Sequence, residues 1–189
     1  MRFQAVTLAL FAAAGLATPI RRDVSQAVYT LRLTSRNKAL DGLYLTAASS
    51  ANNQETTTLG VNTSADPSAA TVKFHPVRNP DTELDELRSA AEGGGALAVV
   101  GANGLLDFAA LADPEAVPAP DGTTVDWTSF RLDQEDGAVE YVGKGVEGGW
   151  VAFPVMGEEE RWSVKWRDVT AWTTENYMPV QVVYELVEE

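Results

Sequence analysis

Carboxylates and aromatic rings are the two groups this chain offers in quantity for catalysis or recognition. Asp and Glu number 27 against 14 Lys and Arg, and Glu158-Glu159-Glu160 is the densest acidic run. Two carboxyl groups flanking a glycosidic bond can hydrolyse it, one as acid and one as base or nucleophile, so the composition leaves a glycoside hydrolase open. The Glu triplet itself is expected at a solvated tip between strands, where nothing desolvates its neighbours. The five tryptophans, Trp127, Trp150, Trp162, Trp166 and Trp172, all fall within residues 127–172. Trp and Tyr combine a flat apolar body with a polar edge, which suits stacking on a sugar ring. Trp172 and Tyr177 share a polar stretch at 171–179 and, with Trp127, form the candidate carbohydrate-binding set. Trp162 and Trp166 alternate with Ser163, Lys165 and Arg167, which makes both candidates for the core.

Other chemistries lack their parts. His75 is the single histidine, a serine triad would have to use it, and no G-x-S-x-G elbow accompanies it. One histidine cannot build a His-rich metal site. The absence of cysteine removes thiolate zinc, iron–sulfur clusters, Cys nucleophiles and disulfides together. No EF-hand spacing occurs. Gly143-Lys144-Gly145 is not a phosphate loop: five residues separate Gly137 from Gly143, glycine follows the lysine, and apolar runs typical of strands lie on both sides. It reads as a turn. No cofactor and no metal is therefore expected. The formal net charge of −13 repels nucleic-acid phosphates and anionic membranes, so neither is expected as a partner.

The N-terminus points to secretion. Met1-Arg2 precedes an apolar run of 13 residues at 5–17 (AVTLALFAAAGLA), and Gly15-Leu16-Ala17 offers small residues for cleavage. A spanning helix needs about 20 apolar residues, so 1–17 is expected to be a signal peptide. Arg21-Arg22 gives a second, dibasic processing point, and a propeptide to residue 22 would start the mature chain at Asp23. Residues 23–189 are expected to form one domain, large enough to stand on its core without disulfides. Asn62-Thr63-Ser64 is an N-glycosylation sequon, so Asn62 is a candidate glycan site.

The elements that must position these residues read as strands. Period-two alternation appears in 28–35 (VYTLRLTS), 70–75 (ATVKFH), 127–132 (WTSFRL) and 180–187 (VQVVYELV). Asp41-Gly42, Asn103-Gly104 and Asp136-Gly137 mark turns. Leu84, Leu87 and Ala91 have helical spacing before Gly93-Gly94-Gly95, which predicts a short helix or a surface loop over 77–95. Three strand sets follow, at 28–76, 96–132 and 138–187. Each has a strand, a Gly turn, a second strand, a polar piece and a closing apolar strand. The expected fold is all-β and antiparallel, a β-trefoil-like barrel of three sets, with a β-sandwich as the alternative.

The leader, the runs LRLTS…GLYLTAAS and ATVKFHP, and WTSFRLD…AVEYVGKG…GGWVAF…RWSVKW resemble small secreted proteins of filamentous fungi. The chain is similar to the phialide-type cell-wall protein (PhiA-like) group in its W-x-(apolar) strand, its apolar strand ending in a Gly turn, and its W-x-(apolar)-x-W. The resemblance implies an extracellular, wall-associated, non-enzymatic protein and supplies no catalytic residues. Cell-wall polysaccharide or a surface protein is the expected partner.

Overall fold

The computed structural model describes residues 27–48, 56–64, 71–91, 93–145 and 147–187. The expected signal peptide at 1–17, and the stretch to residue 22, lie outside them. The described chain is all-β. Its strands are β1 (Tyr29–Thr34), β2 (Thr46–Ala48), β3 (Thr56–Asn62), β4 (Lys73–Arg78), β5 (Asp85–Ser89), β6 (Ala96–Ala102), β7 (Leu105–Leu111), β8 (Thr123–Asp126), β9 (Phe130–Leu132), β10 (Val139–Tyr141), β11 (Gly148–Val155), β12 (Glu158–Asp168), β13 (Met178–Pro179) and β14 (Gln181–Leu186). Every pairing is antiparallel, and all strands belong to one sheet that curls back on itself.

Six strands make the ring. β1 pairs with β4 (Tyr29↔Phe74), β4 with β5 (Pro76↔Leu87), and β5 with β9 (Asp85↔Phe130). β9 pairs with β10 (Leu132↔Val139), a bridge from Ala138 to Val183 joins β10 to β14, and β14 returns to β1 (Val182↔Leu33). Three hairpins, β2–β3, β6–β7 and β11–β12, hang from this ring. Their second strands pair with one another: Ser163↔Gly60 joins β12 to β3, Lys165↔Asp107 joins β12 to β7, and Thr58↔Ala109 joins β3 to β7. The chain thus runs ring strand, hairpin, ring strand three times over, a trefoil-like connectivity. Closure leaves few free edges.

The helix or loop expected at 77–95 is corrected. Residues 85–89 are β5, the ring strand that opens the second set, so this set begins at Asp85 and not at Ala96. Asp85 and Leu87 point inward. An aspartate at an inward position breaks the hydrophobic alternation, and the structure tolerates it because Arg78 reaches its carboxylate at 2.8 Å. The acidic triplet is corrected too. Glu158 to Glu160 open β12, and the hairpin tip is Met156-Gly157, with Gly157 at φ 83°. Asn103-Gly104 turns β6 into β7 with φ of 55° and 75°, the left-handed pair a two-residue I′ hairpin requires.

Five aromatic side chains close into a ring inside the core. Centroids are 4.8 Å apart for Phe108–Trp150, 5.3 Å for Trp150–Trp166, 5.6 Å for Trp166–Tyr141, 5.8 Å for Tyr141–Phe130 and 6.0 Å for Phe130–Phe108. Each pair is tilted or edge-on, the arrangement ring quadrupoles prefer. The Trp150 indole donates to the Val139 carbonyl, which satisfies its buried N–H. Trp166 is core as expected. Trp162 is not fully so: it is half-buried, packed on the core from one side.

Candidate functional site

The aromatic set expected to bind sugar is not one surface. Trp172 is 85% exposed. Its loop is tied down on one side by Asp168, whose carboxylate accepts from the Thr170 amide (2.7 Å), the Thr170 hydroxyl (2.6 Å) and the Ala171 amide (2.9 Å). Chiefly through the Thr170 hydroxyl, these bonds hold the Asp168 pKa below its ordinary value. Arg167 adds a bond to the Ala171 carbonyl at 2.8 Å. Tyr177 is half-buried in the same loop. Phe153 lies 5.6 Å from its ring and the Arg167 guanidinium 5.3 Å over it. Trp127 is half-buried elsewhere, covering Ala98, Ala109 and Leu111 on the outside of β6 and β7. No ring contact joins these three among the described residues. Trp172 stands alone, while Trp127 and Tyr177 lie against the outer faces of their own hairpins.

The same outer surface holds a trough that the aromatic pattern does not announce. Strand register places Thr46 of β2, Gly60 of β3, Ser163 of β12 and Phe153 of β11 in one row across four strands. Thr, Gly and Ser are small, so this row sinks below its flanks. Gly60 has to be glycine, because a Cβ there would run into the Trp162 carbonyl on the facing strand. The flanks follow from period two: Arg161 and Lys165 share a face with Ser163, one on each side of it. Lys165 pairs with Asp107 at 2.8 Å and Arg161 with Glu158 at 2.7 Å. The Lys165 ammonium also lies 5.7 Å from the Phe153 ring. Trp162 meets the trough near the irregularity at Pro154/Val155, where the β11–β12 register shifts. Glu175, from the loop that carries Trp172, lines the trough as well. The trough is open to solvent and has a volume of about 410 Å³, within the range of roughly 300–1,000 Å³ usual for ligand clefts.

This surface offers hydroxyls, carboxylate acceptors and cationic donors around a part-exposed indole. A polyhydroxylated neutral ligand can use all of them at once. Asp107, Arg161 and Lys165 are not site candidates in the sequence and Glu158 stands there only as part of an acidic run, although the polar alternation opposite Trp162, Val164 and Trp166 is the signal that points to this face. A second cleft, about 580 Å³, opens over the edges of Tyr141, Trp150 and Trp166, flanked by Arg131 and Glu140. His75 sits half-buried on β4 opposite Arg88, away from both clefts' linings.

Asn62 ends β3. Its Oδ1 accepts from the Ser64 amide and the Ser64 hydroxyl, both at 2.9 Å, and Thr63 and Ser64 are exposed. Across the strand pair, Asn62 faces Arg161.

Comparisons with family models, with curated proteins and with solved structures find no match. The likeness to the PhiA-like group therefore rests on the sequence runs that suggested it.

Proposed function

We propose that this is a secreted, non-catalytic cell-surface or cell-wall protein that binds a neutral polysaccharide in the trough between β3, β11 and β12. One observation carries the reading: the row Thr46, Gly60, Ser163, Phe153 is bracketed by two ion pairs of the same polarity pattern, Lys165–Asp107 and Arg161–Glu158. A sugar's neighbouring hydroxyls both donate and accept, and each pair supplies an acceptor and a donor. A polyanion is disfavoured by the net charge of −13. Trp172 lies in the loop that also brings Glu175 to the trough, so it extends the surface for a chain longer than the trough.

The two ion pairs fix where two of the trough's acids are anchored. Asp107 and Glu158 are held by cations four residues apart on one strand. That separates the backbone positions of the two cations by about 13 Å; a glycosidase reading requires two carboxyl groups within roughly 5–9.5 Å of each other.

The test is retention on β-glucan, chitin and cellulose, with tryptophan fluorescence on soluble oligomers of each. Retention is expected on at least one, and Ser163→Trp, which fills the trough from the outer face, abolishes it. No retention and no spectral change on any of them overturns the assignment. Release of reducing ends overturns the non-catalytic part alone.

A further inference from the structure

The sequon and the trough adjoin. Asn62 lies two residues from Gly60 on β3 and, by period two, on the same face; its cross-strand partner Arg161 lies two residues from Ser163 on β12. The strand rise puts the Asn62 backbone about 7 Å from the trough floor. The Asn62 amide oxygen is occupied by Ser64, and its amide nitrogen makes no hydrogen bond to the described residues. We propose that Asn62 carries an N-linked glycan that lies in or across the trough, so that the chain's own sugar competes with the external polysaccharide. The inference rests on the trough binding sugar, and it adds the regulation of that site.

The modification balances as a substitution at carbon. The Asn62 nitrogen forms a bond to the anomeric carbon of a polyprenyl-pyrophosphate-linked oligosaccharide as the bond from that carbon to the pyrophosphate oxygen breaks. The lipid pyrophosphate leaves with the electron pair, and the amide gives up one proton to solvent. The donor and its transferase belong to the secretory route that the N-terminal leader implies.

The size of the effect follows from tethering. A ligand linked through a short flexible arm stands at an effective concentration near the millimolar range. Against a trough with a dissociation constant of about 0.1 mM, a 1 mM tethered competitor weakens apparent affinity about tenfold.

Three forms of the full chain test this: unglycosylated protein from a bacterial host, protein secreted by a eukaryotic host, and Asn62→Gln secreted by that same host. A fourth is the secreted protein trimmed by an endoglycosidase to one sugar. Intact mass reads occupancy, calorimetry reads affinity for soluble β-glucan, chitin and cellulose oligomers, and hydrogen exchange reads protection of residues 161–165. The secreted form is expected to carry one glycan at Asn62, to bind about tenfold more weakly than the other three, and to be protected at 161–165 until trimmed. An unmodified Asn62 in secreted protein overturns the proposal. So does equal affinity of the glycosylated and Asn62→Gln forms. Should the unglycosylated protein bind no oligosaccharide, the trough assignment fails, and unchanged exchange at 161–165 on trimming then removes the glycan contact as well.

Discussion

Lys165→Met separates what the trough does for binding from what it does for the fold. Methionine keeps an unbranched apolar stem beside the Phe153 ring and removes only the ammonium that meets Asp107 at 2.8 Å. Unit charges at that distance attract by about 6 kcal/mol at an effective dielectric of 20. The pair is far from dry, with Lys165 and Asp107 side chains 24% and 42% exposed. Solvent screening and side-chain entropy reduce such pairs to about 0.2–1 kcal/mol of stability. The unfolding free energy from urea titration should therefore fall by no more than about 1 kcal/mol, a melting shift of about 2–4 °C at this chain length. Binding should suffer more. A hydrogen bond from a charged donor to a ligand contributes about 1.5–3 kcal/mol, which is roughly 10- to 150-fold in dissociation constant. Urea unfolding and calorimetry on the same preparation measure both. Affinity within twofold of the parent, with stability lowered, would show that Lys165 only clamps β12 to β7, and the trough reading would lose its best donor.

Phe108→Ala opens the five-membered aromatic ring at a side chain with no solvent exposure. The expected loss in urea unfolding is about 3–5 kcal/mol, and a loss under about 1 kcal/mol would mean the ring adds nothing that its neighbours cannot repack. Tyr141→Phe tests the alkaline limit. Burial first, and then the Asp126 carboxylate that accepts its hydroxyl at 3.0 Å, push the Tyr141 pKa far up. A folded-state value above the unfolded value of about 10 stabilises fully below pH 10 and is lost as pH rises from there through the folded value. The parent should weaken above about pH 10, while the variant loses about 1 kcal/mol at neutral pH and shows a shallower alkaline slope. Tyr44 and Tyr184 are also raised but stay in both proteins, so the difference between urea midpoints at pH 8 to 11 isolates Tyr141. Parallel slopes would remove Tyr141 from the alkaline transition.

Strands whose inward residues are all apolar announce themselves. Leu31 and Leu33 in β1, and Val164 and Trp166 in β12, are buried as their alternation predicts, and Asn103-Gly104 turns where its φ angles demand. β5 was hidden because one of its two inward positions is Asp85, and the Arg78 that neutralises it lies seven residues away on a different strand. Leu84, Leu87 and Ala91 then offered a helical spacing that the backbone does not use. Local pattern could not weigh an inward charge against a partner that only β4–β5 pairing supplies. The triplet Glu158 to Glu160 failed for a related reason. Its polarity reads as a tip, yet β12 simply begins beyond the Met156-Gly157 turn, with Glu158 and Glu160 exposed at that end of the strand.

The site was harder to read because none of its residues is distinctive alone. Gly60 has no side chain and Ser163 only a hydroxyl, and their value is their smallness once β3 lies beside β12. The Lys165–Asp107 pair joins residues from different hairpins, so it exists only after the hairpins meet. Trp172, Tyr177 and Trp127 read in sequence as one aromatic binding set, but two of them cover hairpin surfaces. The three hairpin junctions also differ in the side chains that they bring together. At β3–β7, Thr56 and Thr58 face Leu111 and Ala109, which belong to the cluster beneath Trp127. At β7–β12 the pairing supplies Asp107 to Lys165 and Leu106 to Trp166, one polar contact beside a core one. Only at β3–β12 does the outward polar row of β12 meet a strand whose facing residues are Gly60 and Asn62. The three junctions share a strand pattern and differ in side chains, and the small residues opposite a charged row at β3–β12 are what shape the trough.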